Sequence, residues 1–365
     1  MIYIIQRELP HYRIPFFTRL SKFYDIQVLY ALSSVADPDD STFKKIKGWF
    51  PVKSNPYISV LFSTLSIIKN KPDIIIHEMS LSNLNCYFLP FLSKLLNIKF
   101  VFWGHGYHKS DKSGKKNKIR RIVRIFLHKL ANANLVYSRG GAEFLIQHGI
   151  DKKKVFIAWN ALDTTNLNKE KSYSIQLNSD GLVLLFLGRL IPDKYPMIAV
   201  EVFKALQAKY NTIALHIIGS GPEERKIKTY INDHSLKKVF LHGEIIYNTE
   251  LSHIMHKCDI LINPGYLGLN IIHALAFGIP VISVNDGVKG IFHSPEFEYI
   301  DNTPAFFGSE SLDIESFVKI CSKFIEECSV LEQAKIAANE ILKNISMDSM
   351  LKGFQDIVNF VKPDI

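Results

Sequence analysis

Four cysteines in 365 residues are too few and too scattered to staple a fold. Cys86, Cys258, Cys321 and Cys328 form no C-x-x-C pair, and no histidine flanks them at a ligand spacing. Neither a disulfide scaffold nor a structural zinc site is therefore expected, and the thiols read as those of a reduced, cytoplasmic protein. Also missing is an uninterrupted apolar run of about 20 residues, the length a bilayer span needs. The most membrane-like window, Leu84 to Trp103, is broken by Pro90, Lys94 and Lys99. The opening MIYIIQRELPHYR has neither a leading positive charge nor a small-residue cleavage site, so a secretory signal is not expected. There is no zinc-finger spacing, no RNP-like aromatic string and no convincing helix-turn-helix, which removes the support for a nucleic-acid partner.

What is present is a folded chain with 47% hydrophobic and 22% charged residues, long enough for two domains. Its net charge of +9 is unevenly spread. Residues 1–165 hold 25 Lys and Arg against 11 Asp and Glu, and the remainder 19 against 24. The densest part is 109–129, with nine basic residues and one acid, Asp111. From Lys115 onward Ile119, Ile122, Val123, Phe126, Leu127 and Leu130 recur at helical spacing with Lys118, Arg121, Arg124 and His128 between them. Two readings of this basic amphipathic helix stand side by side. It is either an ordinary solvated surface helix or one drawn to an anionic membrane by Lys115, Lys116, Lys118, Arg120, Arg121 and Arg124.

Short apolar runs alternate with helix-compatible stretches along nearly the whole chain. In the first half they are Ile2–Ile5, Ile26–Leu29, Ile74–Ile76, Phe100–Trp103 and Leu135–Tyr137. In the second they are Leu182–Leu187, Leu215–Ile218, Val239–Leu241, Ile260–Ile262 and Val281–Val284. Continuous apolar runs mark strands buried on both faces, so two parallel sheets with helical crossovers are expected, joined by the polar stretch near 165–181. In such sheets ligands bind beyond the carboxyl ends of the strands. Just past the runs lie LFLGRLIPDK (185–194), where Gly188 precedes Arg189 and Lys194, two cations suited to a pyrophosphate. Further on come LHIIGSGPEE (215–224), with a tight turn at Gly219, and VFLHGEI (239–245). The most informative stretch is DILINPGYLGLNIIHALAFGIPVI (259–282), a strand, a Pro-Gly turn and a helix opening near Gly268 with free N–H groups at Leu269 and Asn270.

The ordered set of LGR, GSGPE, HGE and PGYLGLNIIHALAFGIPVI resembles the nucleotide-sugar-binding half of GT-B glycosyltransferases. It is most similar to the large retaining family often called family four, many of whose members build bacterial polysaccharides. The likeness is continuous over 181–285 and weaker upstream through YRIPFF (12–17), FVFWGHGYHK (100–109) and NALD (160–163). It implies an α/β fold of two Rossmann-like parallel-sheet domains facing a cleft. The acceptor-side domain would span 1–165, the linker 166–180 and the donor domain 181–345, with a helix at 346–365 returning to the first domain. Asp348 to Val361 has the helical apolar spacing for that return.

Carried over residue by residue, the resemblance gives Arg189 and Lys194 the donor diphosphate. Gly188 and Gly219 line the same site, Gly243, Glu244 and Ile245 offer backbone to the base, and Gly268, Leu269 and Asn270 meet the sugar and phosphates. His105 matches a histidine that contacts the transferred sugar. The family commonly has two glutamates eight positions apart in the last segment; here those positions are Gly265 and His273, and a histidine lacks an always-ionised acceptor pair. The glycine-rich loop that often follows the first strand is replaced by Gln6 to Arg13, where Arg13 either meets an anionic acceptor or pairs on the surface.

The implied activity is transfer, with retention, from a nucleotide-diphosphate sugar to a lipid-linked saccharide at the inner face of the cell membrane, for surface polysaccharide. A sugar-nucleotide epimerase of the same fold and a non-catalytic donor-binding subunit are the competing readings. No cofactor and no metal is expected; Asp37-Pro38-Asp39-Asp40 reads as a solvated turn.

Overall fold

The structure is a computed structural model that describes residues 1–33, 36–46, 48–49, 60–61, 64–108, 118–164, 181–245 and 248–364. It divides into two compact units, Met1–Asp163 with Ile345–Ile365, and Thr164–Asn344. The expected linker 166–180 lies outside the described residues, as do Lys115 and Lys116.

The first unit is built on a seven-stranded parallel sheet. Its strands are β1 (Ile2–Leu9), β2 (Ile26–Ser33), β3 (Phe43–Lys45), β6 (Ile74–Glu78), β7 (Lys99–Gly104), β8 (Ala133–Val136) and β9 (Val155–Ile157), in the order β3-β2-β1-β6-β7-β8-β9. A separate two-stranded antiparallel pair, β4 (Gly48–Trp49) and β5 (Val60–Leu61), precedes β6. Alternation along the strands gives the sheet two apolar faces. Ile2, Ile4, Val101 and Trp103 lie on one, and Tyr3, Ile5, Phe100 and Phe102 on the other.

The helix Met347–Val361 covers the first face. Ser346 caps it, exchanging hydrogen bonds with Ser349, and the Phe354 ring lies 4.9 Å from both Phe16 and Trp103. Gly353 permits this approach, because a Cβ there would stand 2.3 Å from the Ile157 carbonyl oxygen. Ion pairs of Arg19 with Asp348 and of Lys362 with Asp73 fix the helix at both ends.

The second unit has a six-stranded parallel sheet. Its strands are β10 (Val183–Leu187), β11 (Ala214–Ile218), β12 (Val239–Gly243), β13 (Ile260–Ile262), β14 (Val281–Val284) and β15 (Phe306–Ser309), in the order β12-β11-β10-β13-β14-β15. This is the doubly wound order, and the chain reverses its direction of winding between β10 and β13. Helices Pro196–Gln207 and Ile314–Glu326 bury Val200, Phe203, Phe317 and Phe324 with the apolar side chains of β10 and β11.

Helix Lys118–Leu130 forms where the spacing places it, but its faces are not divided as the sequence suggested. Arg124 and His128 are buried, whereas Ile119, Ile122 and Phe126 are exposed. His128 is drawn inward because its Nδ1–H donates to Asn134 Oδ1 at 2.7 Å. Arg120 is exposed and Arg121 half-buried, so Arg124 is corrected from a surface cation to an interior one.

Candidate active site

At the winding reversal of the second unit, the loops after β10 and β13 are tied together. The Tyr266 N–H donates to the Asp193 carbonyl at 3.1 Å, and Lys194 Nζ donates to the Tyr266 carbonyl at 2.9 Å. The two loops meet so closely that Gly265 has no space for a side chain, since a Cβ would lie 2.3 Å from Asp193 O and 2.7 Å from Lys194 Cα. Gly188, in the left-handed region at φ 147°, holds the aliphatic stem of Lys194 against its open side. The result is a buried ammonium beside an exposed guanidinium, Arg189. Burial, then the Arg189 charge, pulls the Lys194 ammonium down to about 8. A cation so perturbed is short of an anion.

The neighbouring loops are stitched on in turn. The Leu190 N–H donates to Ser220 O at 2.8 Å, and the Gly219 N–H to Gly243 O at 2.7 Å. Gly219 is obligatory, because its Cβ would meet the Gly188 carbonyl at 1.9 Å. Glu244 is exposed and accepts from Ser220 Oγ at 3.3 Å, with Ile245 following it half-buried. Asn270 serves the turn rather than pointing its amide outward. Its Oδ1 accepts from the Gly268 N–H at 2.9 Å and its Nδ2 donates to Leu187 O at 3.2 Å, joining the turn after β13 to the end of β10. His273 is half-buried and its Nδ1 lies 3.3 Å from Leu269 O, one turn back along the helix Asn270–Ala276.

Two residues of this site escaped the sequence. His293 accepts from the Leu267 N–H through Nδ1 at 3.1 Å and donates to Val284 O through Nε2 at 2.9 Å, which fixes its neutral tautomer and the turn it holds. Ser283 Oγ donates to Gly265 O at 3.1 Å. Both lie outside the glycine-marked segments, and a lone Ser within a strand or a lone His beyond one carries no distinguishing pattern.

His105 and Arg13 belong to the first unit. His105 is exposed at the end of β7, its ring 5.1 Å from that of Tyr137. Gly106 and Gly141 let this segment close onto the helix Arg139–Gln147, because a Cβ at Gly141 would sit 2.5 Å from His105 O. Arg13 is not at the surface. Its guanidinium stacks 4.4 Å over Trp103 and donates through Nη2 to Tyr137 Oη at 2.6 Å, so the alternative of a surface ion pair is set aside. Asp37 pairs with Lys45 at 3.0 Å and accepts from Tyr30 Oη. Among the described residues no cluster of three or more His, Cys, Asp or Glu is placed to hold a metal ion.

Residues 168–329 match the family profile of glycosyl transferases group 1. That match spans most of the second unit and less than half of the chain. Over 98% of this chain and 99% of the other, the fold follows the crystal structure of Anabaena HepE in complex with UDP-glucose, with a TM-score of 0.68 at 15% identity. The architecture is thus GT-B. An uncharacterized glycosyltransferase of Methanocaldococcus jannaschii is 24% identical over 81% of this chain and 77% of its own length. A putative colanic acid biosynthesis glycosyltransferase of Salmonella typhimurium is 24% identical over 38% of this chain and 36% of its own. The matched segment contains Arg189, Lys194 and the turn 264–270; His105 and Arg13 lie outside it.

Proposed function

We propose that this chain transfers a sugar, with retention, from a UDP-linked donor to a lipid-linked saccharide at the inner face of the cell membrane, in the synthesis of a surface polysaccharide. The observation that carries the reading is the buried Lys194 ammonium beside Arg189, at the winding reversal within the segment that matches the group 1 profile. In this reading the pair holds the diphosphate and takes up the charge that grows on it as the bond to the sugar breaks. The acceptor oxygen forms its bond to C1 on the face the diphosphate leaves, and the acceptor proton passes to the departing diphosphate oxygen. With two side-chain cations in that role, the step calls for no divalent metal. His105 contacts the transferred sugar from the first unit, and the backbone of Gly243 to Ile245 meets the base. Support for UDP comes from the donor bound to HepE, and support for the acceptor class from the colanic acid relative and the cationic first unit.

The test is to incubate the protein with UDP-, GDP- and dTDP-sugars, with and without a bacterial lipid extract, and to follow nucleotide release and the anomeric configuration of the product. Release of UDP that depends on the extract, with an α-linked product from an α-donor, is expected. Isomerised sugar nucleotide without any acceptor, or donor binding with no turnover in any extract, overturns the transferase reading.

A further inference from the structure

The outward faces of two crossover helices in the first unit are apolar where solvent should meet polar groups. On the helix Asn85–Leu95, preceded by Leu84, the exposed residues Leu84, Phe88, Phe91 and Leu95 recur at spacings of four, three and four, which is one narrow stripe. Leu95 is 83% exposed and Phe91 54%. On the helix Lys118–Leu130, Ile119, Ile122 and Phe126 make a second stripe at 78%, 57% and 53% exposure, while Arg124 and His128 occupy the side turned to the protein.

The two helices lie against one another and pack on the same face of the sheet, burying Cys86, Leu89 and Leu127 with Phe100 and Phe102. Their exposed stripes therefore both turn away from that sheet, as neighbours. Scattered single apolar residues on a surface are ordinary; two aligned stripes of large ones are not. Neither helix contains a carboxylate, and Lys94, Lys118, Arg120 and Lys129 are exposed along them. Residues 109–117, just before the second helix, add four lysines against one aspartate in the sequence.

We infer that this two-helix face enters the headgroup and upper acyl region of an anionic lipid bilayer, with the aliphatic and aromatic side chains inserted and the lysines and arginines reaching the lipid phosphates. The charge pattern selects this occupant. Pairing with a second copy through a two-fold axis would set cation against cation, whereas anionic headgroups complement them while the acyl chains receive the apolar stripes. The inference deepens the membrane location proposed above by naming the residues that enter the lipid. It uses only the first unit, so its outcome is separable from donor binding by the second.

The experiment is co-sedimentation of the full chain with vesicles of equimolar phosphatidylglycerol and phosphatidylcholine, and with phosphatidylcholine alone. The wild type should bind the anionic vesicles, less so in high salt, and bind the neutral ones weakly. Phe91→Ser with Leu95→Ser, and separately Ile119→Ser with Ile122→Ser, should each weaken binding to anionic vesicles about tenfold or more. UDP-induced thermal stabilisation should be unchanged in both. A Leu95→Trp variant, which removes no apolar surface, should show a blue-shifted emission when anionic vesicles are added. Unchanged vesicle affinity in both serine pairs, a Trp emission indifferent to lipid, or a wild-type dimer that the serine pairs make monomeric would each overturn the inference.

Discussion

Gly265 explains in steric terms why a glutamate common in the resembling family is missing here. The loop carrying Asp193 and Lys194 is pressed against it, and a side chain would have to displace backbone rather than a flexible tip. Gly265→Ala should cost on the order of 1–3 kcal/mol of stability and weaken UDP binding, read by thermal unfolding with and without UDP. An unaltered melting temperature would show that the two loops are not so closely tied. The sequence marked Gly265 as a departure, but only the structure shows what occupies the space, because Asp193 is 72 positions away in the chain.

Lys194 gives a second prediction at this scale. Its ammonium, held at about 8 by burial and by Arg189, is half neutral near that pH in the free protein, and a bound diphosphate restores the charge. UDP affinity should fall as pH rises through 8, with proton uptake on binding, seen as a calorimetric heat that varies with the ionisation enthalpy of the buffer. A buffer-independent heat at pH 8 would contradict this. In the absence of ligand the sign reverses. The folded chain loses the Lys194 proton before the unfolded one does, so this residue's cost to stability is relieved as pH rises from 8 toward 10.5.

At the scale of elements, the apolar face under the helices Asn85–Leu95 and Lys118–Leu130 holds two histidines. His77 donates from Nδ1 to Glu78 O at 2.7 Å and His128 to Asn134 Oδ1, and burial keeps both down at about 4. Above pH 6.5 they are neutral in the folded and unfolded chain alike. As pH falls from 6.5 toward 4, the unfolded chain takes up protons that the folded one does not, and stability drops by on the order of 3 kcal/mol for each residue. Urea unfolding of the first unit should therefore weaken between pH 7 and 4.5, and His128→Gln should flatten that dependence. Equal slopes for the two proteins would contradict the assignment.

Ten strands announced themselves as apolar runs, and most lie in sheet interiors, where both faces are covered. The three parallel strands without such a signal, Phe43–Lys45, Val155–Ile157 and Phe306–Ser309, are all sheet edges, three or four residues long and only partly buried. The helix Lys118–Leu130 was legible as a helix but not in its orientation. Its periodicity fixes which residues share a face; the face turned inward is the one where Ile125 and Leu127 are buried and His128 bonds Asn134.

At the scale of the whole molecule, two parallel sheets of seven and six strands carry different tasks. The second holds the glycine-lined cationic site whose motifs are local in sequence, and these could be read in order from Gly188 to His273. The first carries the exposed apolar stripes and His105, which is set against Tyr137 and Gly141, more than thirty positions along the chain, and of that arrangement the sequence disclosed only the histidine.

The proposed transfer requires that Arg189 and Lys194 grip a donor diphosphate. Isothermal titration of UDP into the wild type and into Arg189→Ala and Lys194→Met variants at pH 7 tests it most directly. The wild type should bind saturably, and each variant about tenfold to a hundredfold more weakly, as expected for the loss of a charge-assisted contact to phosphate. UDP affinity that is the same in all three proteins would contradict it.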